Sequence, residues 1–183
     1  GGSVTAANLA LTLARQEAAV LLVDADLRRG ALHELVDRSR QPGLGEVLRG
    51  EVAFEEAVQS IRLPDGGALD FVATGSLPSN PAELLGSDSM SRALDSWTTR
   101  YEMVILVASP LHAVADAAIL GTRADGVVLV ARSGGTHRSA MEDALEQLAT
   151  VRAPVLGTVL NDLDVRDDRR AGSAAAYFNG TSP

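Results

Sequence analysis

Two aspartates and two arginines directly follow an apolar run early in the sequence, in the segment Leu21-Leu22-Val23-Asp24-Ala25-Asp26-Leu27-Arg28-Arg29. At the carboxyl end of a parallel strand, such side chains emerge into the crevice where open α/β sheets bind ligands. Asp24 could hold a magnesium-bound water there or accept a proton, because Mg²⁺ prefers oxygen ligands and keeps several waters. A solvated strand end, with Asp26 paired to an arginine, explains the same residues without any binding site.

A second candidate lies at the first residues, where Gly1-Gly2-Ser3 leads directly into an alanine-rich helical segment. A glycine turn before a helix can present backbone N–H groups to an anion, and a hydroxyl in it can reach Mg²⁺. The same residues also fit an ordinary turn before a capped helix, so this motif alone does not establish a phosphate site.

Composition limits the chemistry that these residues can support. Hydrophobic residues make up 46% and charged residues 22% of the 183 residues, as in folded globular domains. The absence of cysteine excludes disulfides and thiolate metal sites. All 16 basic residues are arginine, which excludes a Schiff-base lysine, a lysine general base and a phosphate-loop lysine. The net charge of −8 argues against a nucleic-acid partner.

The elements that position these residues alternate between short apolar runs and segments of helical periodicity, which predicts an α/β fold with a mostly parallel sheet. Nearly continuous Val, Leu and Ile runs are typical of strands covered by helices on both faces. The predicted strands are Ala19–Val23, Leu69–Ala73, Met103–Ala108, Gly126–Ala131 and Val155–Leu160. The predicted helices are Val4–Arg15, Leu44–Arg49, Phe54–Ser60, Ser89–Thr99, Val114–Leu120 and Ser139–Thr150.

Six strings together resemble the bacterial tyrosine kinases (BY-kinases) of capsule and exopolysaccharide assembly, which are relatives of the ParA/MinD-type ATPases. The strings are Gly1–Ala10, Asp24–Arg29, Pro42–Gly50, Asn80–Leu85, Ala124–Val127 and Val159–Asp164. The resemblance extends from Gly1 to about Asp164 and implies a P-loop NTPase fold of the ParA/MinD type. We therefore expect a kinase-like domain over residues 1–164 and a flexible tail over residues 165–183.

The resemblance also implies a set of residues for ATP and Mg²⁺. The family's phosphate-loop end, Gly-Lys-Ser-Thr, falls on the first four residues, so that Ser3 would supply the Mg²⁺ hydroxyl. Asp24 and Asp26 match the family's second aspartate motif and are the expected catalytic residues, with Asp24 also a metal ligand. Asn161 matches an asparagine near the adenine base. The expected nucleotide-binding residues are Gly1, Gly2, Ser3, Val4, Arg132 and Asn161.

Two departures from the family pattern affect catalysis. Gly2 stands where the family has its essential lysine. In the family, an apolar strand ends in Asp-Thr-Pro-Pro, and the aspartate of that motif is associated with the metal. Val107 stands at the position of this aspartate. Losing one positioned electrostatic group typically costs ~10²–10³ in rate. Arg28 or Arg132 could compensate for the missing charge. The family's tail tyrosines are reduced to Tyr177, the expected phosphoacceptor.

These residues lead us to expect an exopolysaccharide-assembly protein that resembles a tyrosine autokinase but is weakly active or inactive, and that acts as a regulatory or oligomerising module. Two alternatives remain open: an active protein-tyrosine kinase whose phosphate loop is completed upstream, and a ParA/MinD-like ATPase. The resemblance implies a membrane-bound polysaccharide chain-length or activator protein and further copies of the chain as partners. It also implies a cytoplasmic location at the inner face of the cell membrane.

The resemblance further implies that the strand before the phosphate loop lies in the middle of the sheet, whereas this sequence starts after it. We expect the resulting gap between Ala19–Val23 and Met103–Ala108, which either leaves backbone groups unpaired or closes up. We also expect Asp24, Val107 and Arg132 at the carboxyl ends of neighbouring strands, around one crevice. Arg28 and Arg29 are candidates for contacts with a neighbouring subunit.

Overall fold

The computed structural model describes residues 1–64, 66–111 and 115–163, which form an α/β fold. Its helices are α1 Gly2–Arg15, α2 Leu32–Leu35, α3 Leu44–Arg49, α4 Phe54–Ala57, α5 Pro81–Gly86, α6 Asp88–Thr98, α7 Asp116–Gly121 and α8 Arg138–Thr150. Its strands are β1 Val20–Asp24, β2 Val58–Arg62, β3 Ala68–Val72, β4 Met103–Val107, β5 Val127–Arg132 and β6 Val155–Asn161.

The strands form one four-stranded sheet, in the order β2-β3-β1-β4, and a separate pair of β5 with β6. β1 lies parallel to both of its neighbours, β3 and β4, and β5 lies parallel to β6. Among the strands of the described residues, β2 alone, at the edge, runs antiparallel. The sequence-based prediction of a mostly parallel sheet with covering helices is therefore confirmed.

The core lies on both faces of β1, whose five residues are all buried. Because successive side chains of a strand point to opposite faces, β1 contributes to two apolar clusters. Leu21 and Val23 pack with Trp97 and other residues of the helices after β3. Val20 and Leu22 pack in the cluster that contains the α1 alanines. β1 is thus the strand most completely shielded from water.

Helix α1 can pack closely on the sheet because the side chains it buries are small, namely Ala7, Ala10 and Ala14. It contacts β1, β3 and β4 of the larger sheet and also β5 of the smaller one. A short turn connects its last residues to the start of β1, so the two elements run in opposite directions. The first residues of α1 therefore lie near the edge at which β1 ends.

One predicted helix was wrong in its second half. The segment Phe54–Ser60 is helical only to Ala57, and Val58–Arg62 forms strand β2 against β3. β2 lies at the edge of the sheet, and its residues are half-buried or exposed. A strand in that position does not need the continuous apolar run that is typical of a buried strand, so β2 has few apolar residues. The short helices α2 and α5 were also not predicted.

Of the two alternatives expected for the gap between Ala19–Val23 and Met103–Ala108, the structure shows closure. β1 and β4 are directly paired from Val20–Met103 to Asp24–Val107, so no space for a strand exists between them. Within the described residues, the interruption instead lies between β4 and β5, which share no ladder. Sequence spacing shows where strands occur but does not show which strands are neighbours.

We expect hydrogen exchange to report this interruption. In the described part of the chain, β5 and β6 pair only with each other, so alternate amides of β5 point away from its partner. Leu156 of β6 is 72% exposed. NMR-detected exchange should find β1 amides protected ~10-fold or more above those of β5 and β6. Uniform protection across β4 and β5, equal to that of β1, would contradict this arrangement.

The string Pro42–Gly50 forms a loop and helix organised around the Glu46 carboxylate. Its oxygens accept hydrogen bonds from the backbone N–H of Gly43 at 3.0 Å and of Ser76 at 2.9 Å. Gly75 has φ of 78°, and a side chain there would collide with the same carboxylate. Burial raises the pKa of Glu46, but the hydrogen bonds from Ser76 and Gly43 outweigh it and hold that pKa below its ordinary value.

Replacing this carboxylate should therefore have a pH-dependent effect on stability. We expect Glu46→Gln to lower the free energy of unfolding by about 1–2 kcal/mol at pH 7. Because the folded-state pKa is lowered, the carboxylate stabilises the fold above its ordinary pKa of 4.5, and this advantage is lost as pH falls further. Denaturant unfolding at pH 7 and pH 3.5 measures both parts. Glu34→Gln, whose side chain is 76% exposed, is the control with little expected effect. An equal loss for Glu46→Gln at both pH values would contradict the prediction.

Candidate functional site

The first turn of α1 forms one side of the candidate site. Gly1 is the N-cap residue and makes no side-chain cap. Its carbonyl accepts hydrogen bonds from the Thr5 backbone N–H at 2.9 Å and from the Thr5 hydroxyl at 3.0 Å. Ser3 is exposed, and Val4 is 45% exposed. N–H groups of a first helical turn have no partner within the helix, and they favour an anion there.

Asn161, at the end of β6, lies against this turn. A Cβ added to Gly1 would lie 2.6 Å from the Asn161 side-chain nitrogen, whereas a Cβ at Gly2 would meet nothing within 4 Å. The structure thus brings Gly1 and Asn161 together across 160 positions of sequence. The open space at Gly2 also means that a longer side chain fits at that position.

Asp24 lies at the end of β1 and is 1% exposed. Its Oδ2 accepts a hydrogen bond from the Leu32 backbone N–H at 2.9 Å, and its Oδ1 accepts one from Asp26 N–H at 3.3 Å. Burial raises the pKa of Asp24, and these hydrogen bonds only partly offset that effect. A Cβ at Gly30 would lie 2.7 Å from Asp24 Oδ2, so the loop after β1 closes tightly over the carboxylate.

Asp26 is also surrounded by donors. Its Oδ1 accepts hydrogen bonds from the Ser109 hydroxyl at 2.6 Å and from the backbone N–H groups of Arg28 at 3.2 Å and Arg29 at 3.1 Å. Ser109 follows β4 and is 4% exposed. The loops after the paired strands β1 and β4 are therefore joined through one carboxylate oxygen.

Arg28 forms a second connection between the same two regions. Its Nε donates to Asp116 Oδ2 at 2.7 Å, and its Nη2 donates to Asp116 Oδ1 at 3.1 Å. Asp116, in α7, is fully buried, while the Arg28 side chain is 39% exposed. Arg28 was a candidate for contacts with a neighbouring subunit. In this structure its guanidinium is paired with Asp116 of the same chain.

The remaining sequence candidates are distributed around this edge. Val107 pairs in register with Asp24 across β1 and β4, as expected, and is 9% exposed. Arg132 ends β5, in the smaller sheet, where its Nε donates to Asp162 at 2.8 Å. The expected grouping of Asp24 and Val107 on adjacent strands is confirmed, whereas Arg132 is not on an adjacent hydrogen-bonded strand. Tyr177 lies outside the described residues.

These positions fit a phosphate group better than a metal ion. The α1 first turn offers N–H groups and open space at Gly2. The metal side offers fewer oxygens, because Asp24 is buried under backbone donors, Oδ1 of Asp26 accepts from Ser109, and Val107 is apolar. Within residues 1–64, 66–111 and 115–163, no cluster of three or more His, Asp or Glu could hold a metal. We therefore derive no catalytic step through Mg²⁺.

Sequence reasoning missed Ser109 and Asp116 as site residues. A signal for Asp116 existed, because it is a lone carboxylate within the apolar segment from Val114 to Leu120, and a buried charge requires a partner. Ser109 carried a weaker signal, its place directly after an apolar strand. Their partners are 83 and 88 positions away, so only the β1–β4 pairing identifies them.

Comparison with known proteins extends these observations. The family model for the CobQ/CobB/MinD/ParA nucleotide binding domain matches residues 1–173. The tyrosine-protein kinase YwqD of Bacillus subtilis is 43% identical over 161 residues, covering 88% of this chain and 67% of YwqD. The tyrosine-protein kinase Etk of Escherichia coli is 32% identical over 177 residues, covering 97% of this chain and 23% of Etk. The chain spans about a fifth of the length of the EpsB, Ptk and Etk relatives.

Solved structures give the same result. The kinase domain of E. coli ETK has a TM-score of 0.80 at 34% identity, over 86% of this chain and 61% of that one. The BceF tyrosine kinase domain has a TM-score of 0.77 at 38% identity, over 87% of this chain and 63% of that one. The chain belongs to the CobQ/CobB/MinD/ParA nucleotide-binding family and, within it, to the bacterial tyrosine-protein kinases.

Proposed function

We propose that this chain is a tyrosine-kinase-family domain that binds a nucleotide phosphate weakly, transfers phosphoryl groups little or not at all, and acts as a regulatory or oligomerising module in exopolysaccharide assembly. The observation that carries the proposal is Val107, an apolar residue that pairs with Asp24 at the carboxyl edge of the sheet. In the family pattern an aspartate stands there. A valine side chain offers no oxygen to a metal or to its bound water.

The distribution of positive charge supports the same proposal. Phosphoryl transfer depends on positioning and on positive charge against the transferring oxygens. Gly2 provides no charge, and the chain contains no lysine. The two arginines that could compensate have other partners, because Arg28 is paired with Asp116 and Arg132 with Asp162.

The first turn of α1 supports retained affinity for phosphate. Its backbone N–H groups do not depend on the lost side chains, and a helix N-terminus favours an anion. Asn161 adjoins Gly1 and would contact the base or ribose side of a bound nucleotide. Binding should therefore be less impaired than turnover.

One observation favours an active kinase as the second candidate function. YwqD, which is 43% identical, is named a tyrosine-protein kinase. The same sequence with a completed phosphate loop would regain part of the nucleotide site. In either case ATP is the donor, and Tyr177 is the proposed acceptor. Tyr101 is a poorer acceptor because its phenol donates to Asp70 at 2.8 Å. Burial and the Asp70 hydrogen bond raise the pKa of Tyr101.

The proposed setting follows from the family. We infer a cytoplasmic location at the inner face of the cell membrane, with a membrane-bound polysaccharide chain-length or activator protein and further copies of the chain as partners. Among the described helices, none has the length and apolar character needed to cross a bilayer. The kinase-like domain is proposed to cover residues 1–164, with residues 165–183 as its tail.

Nucleotide binding should depend on charge at position 2 more than on Mg²⁺. We expect Gly2→Lys to tighten ADP binding ~10-fold or more and Gly2→Asp to weaken it by a similar factor, because each adds a charge at the positive helix end. Both side chains fit the open space at Gly2. Fluorescence titration with a labelled ADP, in EDTA and in Mg²⁺, measures this. Equal affinities for both variants would contradict the phosphate site.

Autophosphorylation should be close to background. We expect incubation with ATP and Mg²⁺ to leave Tyr177 unmodified by mass spectrometry of the tail peptide, because the lysine and the metal-associated aspartate are both missing. The double variant Gly2→Lys with Val107→Asp should show more phosphate on Tyr177 than the original chain. Far-ultraviolet circular dichroism should first establish that this variant is folded, since it buries a new carboxylate near Asp24.

Two outcomes would overturn the proposal of an inactive domain. One is robust phosphate on Tyr177 of the unmodified sequence that disappears in Asp24→Asn, a substitution that keeps an oxygen acceptor for Leu32 N–H. The other is rapid release of inorganic phosphate from ATP without any modified tyrosine, which would favour the ATPase alternative.

A further inference from the structure

The loop after β1 is held by two side chains that come from the segment after β4. Ser109 donates its hydroxyl to Asp26 Oδ1 at 2.6 Å. Asp116 accepts two hydrogen bonds from the Arg28 guanidinium, at 2.7 and 3.1 Å. Both of the holding residues are buried, with Ser109 4% exposed and Asp116 fully buried. Each contact therefore joins a buried side chain to a partly exposed residue of the loop.

The Ser109 contact depends on a side-chain hydroxyl at that position. In the pattern Asp-Thr-Pro-Pro the corresponding position is a proline, which has no hydroxyl and no backbone N–H to donate. The same segment carries Val107 in place of the aspartate. The segment thus places an apolar residue beside Asp24 and a hydroxyl donor on the neighbouring carboxylate of Asp26.

We propose that Ser109 and Asp116 form a metal-independent latch on the loop after β1, in which the Ser109 hydroxyl donates to Asp26 Oδ1 and so competes with a divalent cation for that one carboxylate oxygen. The proposal rests on the proposed function, because it names what holds this part of the nucleotide site without a metal. Ser109 and Asp116 are positioning residues, since each acts through a residue of the motif from Asp24 to Arg29.

The geometry explains why one hydroxyl can have this effect. Asp26 Oδ1 accepts three hydrogen bonds, and that from Ser109 is the shortest. The other two, from the backbone N–H groups of Arg28 and Arg29, shape the turn itself. Hydrogen bonds from a hydroxyl to a carboxylate are stronger than those between neutral groups. Removing the hydroxyl should loosen the turn and make Asp26 Oδ1 more accessible to a cation.

The first experiment measures the latch without any nucleotide. In Ser109→Ala, NMR-detected amide exchange at Arg28 and Arg29 should be ~5–10-fold faster than in the unmodified chain, because the turn loses one charge-assisted hydrogen bond. Ser109→Thr keeps the hydroxyl and should restore slow exchange. Ser96→Ala, at an exposed position of α6, is the matched control and should change neither amide.

A second variant tests the ion pair. In Asp116→Asn, the Nε–H of Arg28 should exchange with water at least ~5-fold faster, because the guanidinium loses its bidentate carboxylate partner. The amides of Arg28 and Arg29 should also exchange faster if the two contacts act together. Accelerated exchange throughout the sheet would instead show loss of the fold and would overturn the role assigned to Asp116.

The third measurement uses ADP with and without Mg²⁺ as the probe. Ser109→Ala should bind Mg²⁺-ADP ~5-fold more tightly than the unmodified chain, with no change for ADP in EDTA, because only the cation competes with the hydroxyl. Ser109→Thr should behave like the unmodified chain. A merely structural role for Ser109 would weaken both forms of binding equally.

The outcomes separate the latch from the proposed function. Unchanged exchange at Arg28 and Arg29 in Ser109→Ala overturns the latch, whatever the nucleotide data show. Faster exchange together with equal Mg²⁺-ADP affinities in the two proteins overturns competition with a cation. If neither protein binds ADP at all, the proposed function fails, and faster exchange still supports the latch.

Discussion

The burial of the Asp24 carboxylate is the constraint on which the rest of the site depends. A carboxylate that is 1% exposed must find donors within the protein. The chain supplies them by turning immediately after β1, so that the backbone N–H groups of Asp26 and Leu32 reach the two oxygens. The tight closure leaves no space for a side chain at Gly30. The position of Asp26 and Arg28 then follows from that turn, without any ligand.

The use of arginine as the sole cation reinforces this arrangement. Arginine matches a carboxylate through two parallel N–H donors, whereas lysine carries a compact charge that can move toward a phosphate. With 24 acidic and 16 basic residues, carboxylates are in excess. Arg28 pairs with Asp116 and Arg132 pairs with Asp162. Two of the positive charges near the candidate site are therefore paired within the protein, and the N-terminal turn of α1 adds attraction for an anion.

Much of the fold was predictable because buried parallel strands are nearly continuous apolar runs; β1, β3, β4, β5 and β6 all lie within one residue of the predicted bounds. β2 was missed because an edge strand needs few apolar residues. The site was predictable only where one segment contains all its parts, as in Asp24 to Arg29. The contacts of Ser109 and Asp116 depend on β1 pairing with β4, which no spacing in the sequence reveals.

The proposed loss of activity is compatible with the persistence of a kinase-family fold. The bonds that hold Asp24 and Glu46 come from backbone N–H groups, which any sequence with this fold provides. The proposal of an inactive domain concerns the charges at positions 2 and 107 instead, where Gly2 is open and Val107 packs in the α1 cluster. A TM-score of 0.80 to a kinase domain is therefore compatible with either presence or loss of activity. The fold alone does not specify function, so an argument about activity has to rest on the charges at those two positions rather than on the architecture.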